Sequence, residues 1–173
     1  MEAGRQIEEW FHQFEKDITN YLVYYTGSPD VEDMVQETFL RAFQHHSQYK
    51  KEANPKTWLI SIARNTAIDH FRKKSVWQKL KERIGKDSEE TSIPTPEKLI
   101  RQEANAALYD AINQLKPQQR DVVILRGISE LSSKETAEVL GWTPNKVNVT
   151  FHRAVQKLNK LLEGREPRGE YIG

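Results

Sequence analysis

The 173-residue sequence predicts an all-α protein made of two small helical domains joined by a flexible linker. Three observations predict it. Apolar residues recur at helical spacing and nowhere alternate over a convincing strand length. A capped helix-turn-helix signature stands near the C-terminus. Between the two periodic regions lies a stretch rich in Gly, Ser, Thr, Pro and acidic residues, where the periodicity is lost.

Ile7, Trp10, Phe11, Phe14, Ile18, Tyr21, Leu22 and Tyr25 repeat at mostly three- and four-residue steps, which predicts a long amphipathic helix over 6–26 with its aromatics in a core. Gly27-Ser28-Pro29 ends it. A second helix is predicted over 30–46, with Val31, Met34, Val35, Phe39, Ala42 and Phe43 inward and Glu32, Asp33, Gln36, Glu37 and Arg41 outward. A polar loop, Ser47 to Pro55, carries Tyr49 and Asn54. The third helix, Lys56 to Lys74, has an apolar arc of Leu59, Ile60, Ala63, Ala67 and Phe71, with Trp58, Ser61, Asn65 and Arg72 opposite. These helices close a first domain over 5–75, and 76–95 reads as the linker, most open from Gly85 to Pro96.

The second domain spans 96–163. Thr95-Pro96 supplies a cap and first position, and Leu99, Ala104, Ala107, Leu108, Ala111, Ile112 and Leu115 mark its first helix. Lys116-Pro117 breaks the chain before a short helix through Val122, Val123, Ile124 and Leu125. Ser132 with Glu135 forms a capping box, Gly141 is suited to a left-handed C-cap, and Thr143-Pro144 opens another helix. There Val147, Phe151, Ala154 and Leu158 face inward, leaving Asn145, Lys146, Asn148, Val149, His152, Arg153 and Gln156 outside.

Composition excludes several classes of chemistry. With no cysteine, the chain has no disulfide, thiolate metal site or cysteine nucleophile, as expected in a reducing cytoplasm. No apolar run approaches a membrane span, and the first residues lack a signal peptide's apolar core, so a cytoplasmic protein without membrane insertion is expected. Asp30, Glu32, Asp33 and Glu37 lie at a helix start and have no histidine at ligand spacing, so neither a metal site nor a catalytic residue nor a cofactor is predicted.

The net charge of +1 conceals a segregation. Residues 1–46 carry −6 and residues 47–86 carry +8. The basic block overlaps the Trp58 helix, whose polar face joins an aromatic, an amide able to read a base edge and cations suited to phosphate. Near the C-terminus, Asn145, Lys146, Asn148, Val149, Thr150, His152 and Arg153 are groove-reading residue types at the start of a candidate recognition helix. Both features point to nucleic acid.

Taken together, Asp33-Met34-Val35-Gln36-Glu37-Thr38-Phe39, Lys56-Thr57-Trp58-Leu59 with Ile62-Ala63-Arg64-Asn65, and the hairpin ending Phe151-His152-Arg153-Ala154 resemble a bacterial RNA polymerase sigma factor. The short two-domain chain is similar to the extracytoplasmic-function (ECF) group, and within it to the Bacillus sigma-X type. The resemblance covers about residues 5 to 162. It implies a region 2-like domain followed by a region 4-like domain, promoter DNA and the polymerase core as partners, a role in stress-responsive transcription initiation, and an anti-sigma factor.

The resemblance also implies residue roles. Asp33, Gln36, Glu37, Phe39 and Leu40, within Asp33 to His45, would dock on the clamp helices of the largest polymerase subunit. Trp58 would stand where the duplex opens upstream of the −10 element, with Tyr49 and Asn65 lining a pocket for a flipped base. Ser61, Arg72, Lys73 and Lys74 complete that −10 surface, and the acidic linker would thread toward the RNA path. Lys134 to His152, extended by Arg153, would read the −35 element, although Asn148 and Thr150 stand where relatives often carry Lys or Arg. The competing reading is an autonomous helix-turn-helix regulator binding DNA as a dimer, which predicts a tight symmetric complex without polymerase.

Overall fold

The computed structural model describes residues 2–84 and 106–163, all of it helix and connecting turn with no strand among the described residues. The first half contains α1 (Glu2–Thr26), α2 (Glu32–Gln44), a single 3-10 turn (His46–Gln48) and α3 (Pro55–Ile84). The second contains α4 (Ala106–Asn113), α5 (Pro117–Val123) running into a π turn (Ile124–Ile128), α6 (Ser133–Leu140) and α7 (Pro144–Glu163).

Burial along α1 follows the predicted spacing through Ile7, Trp10, Phe14, Ile18, Tyr21 and Leu22. α2 and α3 pack on this face and on each other. In α3 the apolar arc of Leu59, Ile60, Ala63 and Ala67 is fully buried, which fixes the roll of the helix. Two residues expected in the core leave it: Phe43 is 46 % and Phe71 40 % exposed, because the packed face of each helix narrows toward its C-terminal end.

α3 also outlasts its expected length. It continues through Val76 to Ile84, residues expected in the linker, since Val-Trp-Gln-Lys-Leu-Lys-Glu-Arg-Ile contains no helix breaker before Gly85. The remaining linker, the part of the second domain's first helix that the sequence predicts before Ala106, and residues 164–173 lie outside the described residues.

The helix-turn-helix is built by local signals. Ser132 Oγ accepts from the Glu135 backbone N–H while the Glu135 carboxylate accepts from the Ser132 backbone N–H, completing the capping box. Gly141 closes α6 at φ 70°, where a side chain would be strained. Thr143 Oγ1 then caps α7 by accepting from the Lys146 N–H.

The two halves do not keep separate cores. A single apolar cluster runs from Ile7, Trp10 and Leu59 through Ala111, Ile112, Leu115 and Leu125 to Ala154 and Leu158. A clasp of polar contacts seals this junction. Arg64 of α3 pairs with Asp121 of α5 at 3.2 Å, and Arg120 donates to the backbone carbonyls of Tyr24 and Tyr25. Glu135 accepts from Thr57 Oγ1 at 2.8 Å and from Asn54 Nδ2 at 3.1 Å, so the carboxylate that caps α6 also ties it to the start of α3. Tyr24 meets Tyr109 edge-on, and Asn113 lies against Gly27.

Candidate nucleic-acid interface

With Leu59, Ile60, Ala63 and Ala67 turned inward, α3 presents Asn65, Arg72, Lys73 and Lys74 to solvent as the sequence predicts. Ser61 is half-buried and its hydroxyl donates to the Thr57 carbonyl at 3.2 Å. Arg72 bonds Asp69 one turn back at 3.0 Å, yet its side chain stays 72 % exposed and is available to a phosphate.

Trp58 differs from the expectation of an aromatic standing free on a polar face. It is half-buried in a cluster, 5.2 Å from the Tyr49 ring and 6.0 Å from that of Trp10. Tyr49 in turn meets Trp10 edge-on at 4.8 Å and donates its hydroxyl to the Ala53 carbonyl, while burial pushes its phenol pKa up. The cluster holds Trp58 in one orientation with part of its ring uncovered. A stacking ring fixed in this way loses little rotamer freedom when a base arrives. Tyr49 and Trp58 are thus brought together, with Asn65 two turns further along the same helix.

α7 is pinned by Val147, Ala154 and Leu158, so Asn145, Lys146, Asn148, Val149, His152 and Arg153 face outward, with Thr150 half-buried at the edge. Several are pre-oriented. Lys146 lies over the Trp142 ring at 4.1 Å, and Asn148 is held by the Ser133 hydroxyl of α6. Phe151, expected inward, is half-buried under the Arg126 guanidinium, 5.2 Å from its centroid.

On α2, Asp33, Gln36 and Leu40 are exposed and Glu37 is partly so. Phe39 is not part of that surface. It is only 6 % exposed and packs on Phe11 at 5.0 Å, because it lies on the face that α2 turns to α1. Arg41 links Glu37 at 3.0 Å to Asp69 of α3 at 2.8 Å, and this neighbour holds the Asp69 carboxyl below its ordinary range. The acidic face therefore adjoins the basic one across a groove between α2 and α3.

Sequence reasoning did not find Arg64, Arg120, Asp121 or Glu135 as the clasp between halves. Each is a common surface residue type, and its partner lies roughly sixty to one hundred residues away, so no local pattern marks it. Among the described residues no cluster of His, Cys, Asp and Glu is placed to hold a metal ion, and no helix is long and apolar enough to cross a membrane.

Comparison with known proteins gives this arrangement a context. Residues 10–76 match the model for sigma-70 region 2, and residues 105–158 match that for sigma-70 region 4. The chain is 34 % identical to the RNA polymerase sigma factor YlaC of Bacillus subtilis over 94 % of its own length and 95 % of the relative's. It is 32 % identical to the ECF sigma factor SigX of the same organism, over 94 % and 84 %. Its fold matches that of the sigma factor RpoE of Bartonella quintana, solved with the anti-sigma factor NepR, at a TM-score of 0.73 and 21 % identity, covering 94 % of this chain and 99 % of the other. CnrH, solved with the cytosolic domain of CnrY, matches at 0.72, also at 21 % identity, over 94 % and 91 %. Two region models in the same order, with relatives matched nearly end to end, leave one conclusion: the chain belongs to the sigma-70 family, in its ECF group, and is an RNA polymerase sigma factor acting in transcription initiation.

Proposed function

We propose a division of labour among the three surfaces. α2 docks on polymerase core through Asp33, Gln36, Glu37 and Leu40, with Phe39 supporting the helix from beneath. Trp58, with Tyr49, Ser61 and Asn65, captures and reads −10 bases, while Arg72, Lys73 and Lys74 hold phosphate. α7 enters the major groove of the −35 element with Asn145 to Arg153. The single observation that carries this reading is the fixed roll of α3, which turns amide and cationic side chains outward and leaves the Trp58 ring part uncovered along one helix.

The clasp sets a condition on this function. Elements at −10 and −35 lie about 25 base pairs apart, roughly 85 Å at 3.4 Å per pair. A compact chain of this length is about 40 Å across by the usual scaling. The halves must therefore part when both elements are engaged, and polymerase is the scaffold that holds them apart. The anti-sigma factor solved with RpoE supports a partner of that kind for this chain, and a partner that bound the closed arrangement would keep the halves together. A cytoplasmic site of action and a role in stress response follow from the same reading.

The test is transcription of genomic DNA by purified core polymerase with and without the protein, mapping transcript starts. New starts sharing −10 and −35 elements are expected. No protein-dependent starts, or a tight two-fold symmetric footprint on DNA without core, would favour the dimeric regulator instead.

A further inference from the structure

The last turns of α3 carry an apolar face that the domain cores leave uncovered. From Phe71 to Leu80 every residue is exposed, and the helix runs on to Ile84, about 20 Å past Phe71 at 1.5 Å per residue. At 100° per residue Val76, Leu80, Ile84 and Trp77 fall within one arc of about 100°, and all four are exposed. Arg72, Lys79 and Arg83 line one edge of this arc, Lys74 and Lys81 line the other, and Lys73 closes its N-terminal end. Ser75, Gln78 and Glu82 lie opposite. Trp77 marks the edge where arc and cations meet, with the Lys81 ammonium 5.8 Å from its ring centroid.

Phosphate alone does not account for this pattern, because Val76, Leu80 and Ile84 offer it nothing. A purely apolar partner would not call for cations along both edges. The complementary surface is apolar at depth and negative at its rim, which is the chemistry of an anionic bilayer interface. Among the described residues no other element covers the arc, so it is a convex ridge rather than a groove, and a flat, deformable surface fits it better than a folded peptide. Lys and Arg stems can lie along such an arc and carry their charges up to headgroups, and a Trp at its border takes the place of an interfacial aromatic. We propose that the end of α3 docks on an anionic lipid surface, lying in its plane with Val76, Trp77, Leu80 and Ile84 toward the acyl chains. This is attachment from one side, since no helix among the described residues is long and apolar enough to cross a membrane. Trp58 and Asn65 point within about 20° of Val76 around the same axis, so a lipid-bound chain turns its −10 face to the bilayer and is withheld from promoters. That exclusion rests on the −10 assignment of the Trp58 face.

The experiment sediments the full chain with vesicles of phosphatidylcholine alone or with about a third phosphatidylglycerol. Binding to the anionic vesicles should exceed that to the neutral ones about tenfold or more, and Trp77→Ala/Leu80→Ala should lower it about tenfold with helicity and melting temperature unchanged. A polarity-sensitive dye at Val76→Cys should report an apolar surrounding on anionic vesicles, whereas the same dye at Gln78→Cys should stay in water; the chain has no cysteine of its own to confuse the labelling. Absence of vesicle binding overturns the proposal. So does equal binding by Trp77→Ala/Leu80→Ala, or a dye that reports water at both positions, since either would leave only adsorption of charge. Self-association without lipid that Trp77→Ala/Leu80→Ala abolishes would make the arc a contact between two copies and overturns it as well. Chain incubated with anionic vesicles before core and promoter are added should initiate less transcription, and Trp77→Ala/Leu80→Ala should escape that inhibition. Binding without inhibition would overturn the exclusion, and with it the −10 assignment beneath it, whereas failure to bind overturns the docking alone.

Discussion

The clasp makes a quantitative prediction through Arg64 and Asp121. Their side chains are 23 % and 17 % exposed and meet at 3.2 Å. Burial pushes the Asp121 carboxyl above its ordinary range, and the attraction of Arg64 opposes that shift. Truncating either partner leaves the other charge partly desolvated. A fully buried pair would lose 3–5 kcal/mol, and the residual exposure here reduces this to about 2 kcal/mol. Since the two residues come from different halves, the loss falls on the junction and should raise the ratio of open to closed chains about thirty-fold. The sequence has no cysteine, so dyes can be attached uniquely at cysteines introduced for the exposed Lys50 and Lys160, one on each half. Energy transfer should fall in Arg64→Ala and in Asp121→Ala with helicity retained, and the double variant should lose much less than the sum. Additive effects, or unchanged transfer in all three, would refute the claim that this pair holds the halves together.

Three further outcomes follow from the same geometry. Asp33→Lys/Glu37→Lys should leave the melting temperature nearly unchanged, because the Glu37–Arg41 pair is a surface contact worth only tenths of a kcal/mol, while core association measured by competition weakens at least ten-fold. The Glu135 carboxyl is held below its ordinary range, first by the Ser132 backbone N–H and also by Thr57 and Asn54, so its contribution is intact above the usual glutamate pKa and lost as pH falls through the lowered one. Energy transfer between the halves should therefore drop as the pH falls below the ordinary glutamate range, and Glu135→Gln should shrink that drop, leaving the pH dependence due to Asp121. Trp58→Ala, which gives up ring contacts with Trp10 and Tyr49, should cost about 2 kcal/mol of stability yet leave a folded chain; permanganate reactivity should show impaired strand opening that a pre-melted −10 template restores.

What was legible in the sequence was local. Ser132, Glu135, Gly141 and Thr143 each act on a backbone group within four residues, and each does what its spacing predicts. The buried face of α1 was equally plain, since six buried positions in one helix leave little choice of roll. What escaped depends on residues far apart in the chain. Trp58 reads as exposed on its own helix because the rings that cover it come from Trp10 and Tyr49. Phe39 and Phe43, four apart, have the same local signature, yet Phe39 is buried on Phe11 whereas Phe43 meets α1 near Gly4 and stays 46 % exposed. The end of α3 was misplaced because fading periodicity signals a lost partner face, whereas a helix of Lys, Gln, Leu, Glu and Arg can run on without one.

The clasp and the sparse charge of the recognition helix act in the same direction. Outward-facing α7 offers Lys146, Arg153 and His152 at its N-terminal end, so isolated binding to duplex should be weak and salt-sensitive. Each 1.4 kcal/mol by which the closed arrangement is favoured lowers the apparent affinity for a two-element promoter a further tenfold, because only open chains can reach both elements. On the proposed docking through α2, polymerase would supply both remedies: it would select open chains, and it would convert two weak modules into one bivalent contact by effective concentration. A more cationic α7 would weaken this control, since the protein could then occupy DNA without core. On this reasoning the residues poorly suited to tight binding, Asn148 and Thr150 in α7 and the half-buried Arg64 and Asp121 between the halves, would keep promoter recognition conditional on polymerase.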